Sequence, residues 1–147
     1  MKPLSLIEKA FFLKKVRLFS ELDFELLLSI AEKMHDDDYD ANEKVFTSGQ
    51  VANRIYFIAH GIVELSDSRM KPLGELSTGE FFGDESLFND APRAYMAVCK
   101  TDSILLTLSR SHLLSIISEC PSVAVSLLQS YANALPCRFL KVGALHG

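Results

Sequence analysis

The chain has 147 residues, 48% of them apolar, and sets 15 basic against 19 acidic side chains for a net charge of −4. That length allows one domain with a real core, and that composition excludes a disordered chain. The mild negative charge argues against direct nucleic-acid binding, which depends on neutralising phosphates.

The first element is an amphipathic helix over Leu4 to Val16, with Leu6, Ile7, Ala10, Phe11 and Leu13 on one broad face. Glu8, Lys9, Lys14 and Lys15 interrupt this stretch, so it is not a secretory signal. Leu18 to Ser20 makes a break. A second helix runs from Leu22 to Met34, with Asp23 as N-cap and Leu26, Leu27, Ile30, Ala31 and Met34 turned inward. The acidic run His35 to Asp40 has neither the turn glycine nor the closing glutamate of a calcium loop, and it reads as a first strand with a solvated face.

From Val45 onward short apolar runs recur between turn residues: Val45–Phe46, Ile55–Ile58, Ile62–Leu65, Leu73–Leu76, Phe81–Phe82, Tyr95–Cys99 and Ile104–Leu108. Gly49, Gly61, Gly74, Gly79 and Gly83 punctuate them. Many short strands with glycine turns predict an antiparallel roll, barrel-like or jelly-roll-like. Ile55 to Ile58 is apolar on both faces, as a central strand would be. Ser109 to Glu119 predicts a helix, and Pro121 starts another at a position that tolerates proline. Val123, Leu127, Tyr131 and Leu135 form its stripe, Pro136 ends it, and Cys137 to Gly147 reads as a tail. The division is therefore one domain over 1–147: N-terminal helices 1–34, roll 35–109, C-terminal helices 110–136 and tail 137–147. The fold class is α+β, an antiparallel β-roll of about eight strands flanked by helices.

Catalytic and metal chemistry finds no support. His35, His60, His112 and His146 stand singly, without a partner at metal-ligand spacing. No nucleophile elbow, phosphate-binding Gly-rich loop or dinucleotide turn is present. Ser111–His112 reads as a helix cap rather than a nucleophile and base, because sequence neighbours on a helix diverge. Asp84 and Glu85 diverge for the same reason. The expectation is no enzyme activity, no metal and no cofactor. Cys99, Cys120 and Cys137, odd in number and widely spaced, read as reduced thiols in a cytoplasmic protein. No apolar run reaches the length of a membrane span.

The stretch with binding chemistry is Phe81 to Val98, FFGDESLFNDAPRAYMAV. One helical turn, Asp84 to Phe88, offers free N–H groups to an anion. A polar turn then delivers the one arginine of the segment, Arg93. A planar guanidinium among small or apolar neighbours suits one doubly hydrogen-bonded oxyanion. Arginine, exposed amides and one carboxylate together suit a ligand with one phosphate and one hydroxyl.

These residues resemble the phosphate-binding cassette of cyclic nucleotide-binding domains. Phe82, Gly83, Ser86, Leu87, Arg93, Ala94, Ala97 and Cys99 match that pattern. VFTSGQVANRIYFIAHG, Val45 to Gly61, is similar to the family's first signature, and RLFSELDFELLLSIAEKM to its helical lead-in. Three positions depart: Asp84 stands for the usual Glu, Tyr95 for Ala, and Phe46 for a smaller residue. The resemblance, over roughly Leu18 to Leu135, implies B- and C-type C-terminal helices and a sensor of a 3′,5′-cyclic nucleotide. Arg93 would clamp the exocyclic phosphate oxygens, with backbone amides of Ser86, Leu87 and Ala94 completing the pocket. Asp84 and the Gly83 amide would hold the ribose 2′-hydroxyl. Ala94 lacks the hydroxyl that favours guanine at that position, so cAMP is expected over cGMP. Leu127, Leu128 and Tyr131 are candidates to cap the base. Bound phosphate would draw Leu87 inward and let the last helix swing over the base, changing an effector contact or a homodimer seam through that helix. About a dozen residues follow Leu135, too few for a DNA-binding domain. The alternative is a degenerate roll that binds no nucleotide and serves as a protein-interaction module.

Overall fold

The computed structural model describes residues 3–134. Leu135, Pro136 and the tail lie outside the described residues. Helix α1 is Leu6–Lys15. It starts at a reciprocal capping box: the Ser5 hydroxyl accepts from the Glu8 amide, and the Glu8 carboxylate accepts from the Ser5 amide. A 3-10 turn, Arg17–Phe19, follows. Helix α2, Phe24–Glu32, is capped by Asp23, as its sequence predicts.

The two helices bury narrower stripes than their patterns suggest. In α1 only Ala10 and Leu13 are buried, while Ile7 and Phe11 are 57% and 59% exposed. Leu26 is likewise half-exposed on α2. The roll touches only one side of this helix pair. Phe11 packs instead against Phe24, ring to ring at 5.1 Å.

Among the described residues, eight antiparallel strands form two four-stranded sheets. Strands β1 (His35–Tyr39), β8 (Ser103–Ser109), β3 (Arg54–His60) and β6 (Phe81–Phe82) make one, in the order β1-β8-β3-β6. Strands β2 (Lys44–Phe46), β7 (Met96–Cys99), β4 (Ile62–Ser66) and β5 (Pro72–Ser77) make the other, in the order β2-β7-β4-β5. The acidic run is indeed a strand, but Asp36 on it is largely covered: it accepts from the Leu4 amide and pairs with Lys9 at 3.5 Å.

Strand β3 lies between β8 and β6 and is apolar on both faces for a physical reason. Ile55 and Phe57 enter a core shared with the helices, whereas Tyr56 and Ile58 enter the core between the sheets. Two cores need two apolar faces.

The C-terminal helices are α4 (Arg110–Glu119) and α5 (Pro121–Ala134). The cap of α4 is Ser109, whose hydroxyl accepts from the His112 amide, so Ser111 sits inside the first turn rather than capping it. Val123 and Leu127 anchor α5 in the helical core, which also contains Leu87. No single helix among the described residues is long and apolar enough to cross a membrane, and α4 and α5 meet at a bend of 110°.

Candidate functional site

Strand β6 delivers the site. Phe81 and Phe82 pair with Phe57 and Tyr56 of β3, which fixes where the chain must leave the sheet. It leaves at Gly83, with φ 83°, a region that favours glycine. A Cβ added there would lie 2.8 Å from the Arg93 Nη1 atom, so the missing side chain is also what lets the guanidinium approach. Helix α3, Glu85–Phe88, follows as a single turn, and Leu87 donates its amide to the Asp84 carbonyl at 3.0 Å. That amide is thus committed within the turn. Arg110, at the start of α4, donates to the Leu87 carbonyl at 2.9 Å and ties the turn to the helical layer.

The backbone of Arg93 is clamped from the other side. Its amide donates to the Gln50 carbonyl at 2.8 Å, and its carbonyl accepts from the Gly49 amide at 2.7 Å. The Gly49–Gln50 turn, conspicuous in the sequence only as a strand reversal, therefore positions the arginine.

The side chain of Arg93 points inward, and the residue is 4% exposed. Nη1 donates to the Gly83 carbonyl at 2.5 Å and Nη2 to the Arg54 carbonyl at 2.6 Å. The guanidinium lies 4.3 Å above the Phe46 ring and 5.7 Å from the Tyr56 ring. Burial pulls its pKa down, against the pull of Tyr56, Tyr95, Glu85 and Asp84. A buried cation held by two carbonyls and two rings is preorganised, not wandering.

Each of the three departures named above is engaged, two of them with each other. Phe46 and Tyr95 are in ring contact at 5.5 Å, so the two oversized residues fill the roll together. The Tyr95 hydroxyl accepts from the Gly83 amide at 2.9 Å and donates to the Glu85 carboxylate at 3.0 Å. Asp84, 3% exposed, accepts from the Tyr131 hydroxyl of α5. Both groups expected at a ribose hydroxyl, the Gly83 amide and the Asp84 carboxylate, are thus engaged by phenols. Ser86 donates its hydroxyl to the Pro92 carbonyl at 3.2 Å, closing the polar turn, and Ala94 is exposed. Of the candidate capping residues, Leu127 faces the core that holds Leu87, Leu128 is 66% exposed beside Phe88, and Tyr131 hydrogen-bonds to Asp84 of the cassette.

Beside this network lies a cleft of about 430 Å³ lined by Arg17, Glu80, Phe81, Asp84, Glu85 and Tyr131. Burial, and next the neighbouring Glu85 charge, push the Asp84 carboxyl up from 3.8 to about 6; the Tyr131 hydroxyl and Arg93 offset part of this. The folded state therefore holds the proton more tightly than the unfolded chain. Its contribution to stability is complete below the unfolded value and is lost as pH rises through about 6. Asp84→Asn keeps an acceptor for Tyr131 and cannot ionise. At pH 7.5 it is expected to be more stable than the parent by on the order of 2–3 kcal/mol, with the two converging near pH 4. Urea unfolding of both proteins across that range measures this, and a less stable Asn variant at pH 7.5 contradicts the assignment.

The profile of the cyclic nucleotide-binding domain matches residues 37–120. The chain is 30% identical, over 68% of its length, to a cAMP-dependent protein kinase regulatory subunit of Debaryomyces hansenii, of which it covers 22%. It is 32% identical, over 66% of its length, to the cyclic AMP receptor protein of Thermus thermophilus, of which it covers 47%. The chain thus spans about a fifth to a half of these relatives. Among solved structures, the Thermus thermophilus catabolite activator protein superposes with a TM-score of 0.79 at 28% identity, over 88% of this chain and 63% of that one. The regulatory subunit of a cAMP-independent protein kinase A from Trypanosoma brucei superposes with a TM-score of 0.73 over 88% of this chain and 47% of that one; at 21% identity it speaks for the fold alone.

Proposed function

The chain belongs to the cyclic nucleotide-binding domain family, and on that premise we propose that it is a regulatory sensor of a cyclic nucleoside monophosphate, with cAMP preferred. The observation that carries this reading is Arg93: a single buried guanidinium, aimed inward beside Gly83 and the turn of α3. The ligand phosphate would exchange with the Gly83 and Arg54 carbonyls for the guanidinium fork. The amides of Ser86 and Ala94 would complete the oxyanion pocket. Asp84 and the Gly83 amide would receive the ribose hydroxyl once the phenols withdraw. The preference for cAMP rests on Ala94, which carries no hydroxyl for a guanine.

The protein acts, in this reading, by coupling ligand to movement of α5, with no reaction of its own. Leu87 supports that coupling, because it is 1% exposed in the core that also contains Val123 and Leu127. The output is an effector contact or a homodimer seam on α5; of the stripe expected to form that seam, Val123 and Leu127 are buried and Leu135 lies outside the described residues, which leaves Tyr131 with the exposed Val125 and Leu128. The free thiols of Cys99 and Cys120 suit a cytoplasmic protein.

Calorimetric titration of the purified chain with cAMP and with cGMP tests the proposal. The expected result is a saturable heat with cAMP and at least tenfold weaker binding of cGMP. Absence of binding by either nucleotide sinks the sensor reading and favours an interaction module built on the same roll.

A further inference from the structure

Helix α5 is held to the roll in two different ways. Its first half is anchored by packing: Val123 is fully buried and Leu127 is 4% exposed. Its last turns are not anchored so. Leu128 and Tyr131 are 66% and 36% exposed, and residues 131–133 all lie at the surface. Between these turns and the cassette runs the cleft lined by Arg17, Glu80, Phe81, Asp84 and Glu85. The Tyr131 hydroxyl crosses that boundary to the Asp84 carboxylate, a contact between residues 47 apart in the chain.

The carboxylate it reaches is the one that the proposed function gives to the ribose. Asp84 is 3% exposed and its Oδ2 accepts from the Tyr131 hydroxyl, so a ribose hydroxyl that takes that oxygen displaces the phenol. The longer reach of a tyrosine fits the shorter carboxylate, since aspartate sits one methylene further back than glutamate would.

Resting on the reading of Asp84 as the ribose carboxylate, we propose that nucleotide and helix α5 compete for Asp84, so that ligand binding releases the last turns of α5 instead of drawing them over the base. The coupling is then reciprocal: whatever holds α5 against the cassette weakens the ligand, and the ligand loosens α5 by the same factor. A partner that captures the freed helix strengthens nucleotide binding.

Tyr131→Phe keeps the ring and removes only the donor, and its partly exposed site makes misfolding no concern. Amide hydrogen exchange of α5, read by mass spectrometry with and without cAMP, and calorimetry with cAMP on both proteins form the test. In the absence of nucleotide, the variant is expected to exchange its last two α5 turns about five- to tenfold faster than the parent. It is expected to bind cAMP tighter by a similar factor. Saturating cAMP is expected to speed exchange in the parent and to change little in the variant. Slower α5 exchange on adding cAMP, or weaker cAMP binding by the variant, overturns the proposal. If neither protein binds cAMP, the sensor reading and the competition fall together, and the nucleotide-free exchange still reports on the tie: equal rates in both proteins remove it as well.

Discussion

Arg93→Ala is expected to cost about 2–5 kcal/mol of cAMP binding, a loss of thirtyfold or more, because it removes one partner of a desolvated charge pair. No other cation in the cassette can replace it, since Phe81 to Val98 contains a single basic residue. The same change strips donors from the Gly83 and Arg54 carbonyls. Each buried acceptor left without a partner costs about 1–3 kcal/mol, so the fold weakens as well. Urea unfolding must therefore accompany the titration. Arg93→Lys separates the two effects: it keeps the charge but cannot present a planar fork to two carbonyls, or to two oxygens of one phosphate. The expected order of cAMP affinity is parent, then Lys, then Ala. A folded Ala variant that binds cAMP as the parent does removes Arg93 from the site.

Tyr95→Ala is expected to act in the opposite direction and tighten cAMP binding about five- to thirtyfold. The phenol holds the Gly83 amide and the Glu85 carboxylate, so a ligand meets a cassette in which the Gly83 donor is already engaged. Apparent affinity falls by the fraction of molecules in which the pocket is open, and removing the internal occupant restores that fraction. Tyr95→Phe isolates the hydroxyl: it frees the Gly83 amide while keeping the ring against Phe46. Its gain is expected to be smaller than that of alanine. The alanine variant leaves a cavity beside Phe46 and is expected to lose about 2–4 kcal/mol of stability, on the scale of other large-to-small core changes. A Tyr95→Ala protein that is folded and binds cAMP more weakly means that the ring supports the ligand rather than standing in for it.

Both expectations rest on how the departures from the family pattern are connected. Phe46, Asp84 and Tyr95 look in the sequence like three unrelated changes. In the fold each has an identified contact: Phe46 with the Arg93 guanidinium and the Tyr95 ring, Tyr95 with Gly83 and Glu85, Asp84 with Tyr131. A bulkier ring in β2 and a bulkier ring before β7 occupy one volume, so the pair makes sense only together.

By itself the sequence determined whatever depends on neighbours a few residues apart. Ser5 with Glu8, Asp23 with Leu26 and Pro121 at a helix start are short-range patterns that a linear reading can see. The glycine at 83 and the arginine ten residues later are legible for the same reason, and they placed the candidate site. Tertiary structure alone decided what the chemistry touches. Nothing local says that Arg93 donates to the carbonyl of Arg54, 39 residues back, or that Tyr131 reaches Asp84 across 47 residues. Nor does a helical stripe say that Ile7, Phe11 and Leu26 stay exposed, because the number of apolar residues on a face does not tell how wide a partner will cover it. Spacing along the chain settles local hydrogen bonds; only packing, which brings distant segments to one volume and excludes water from it, settles which donors and acceptors remain for a ligand.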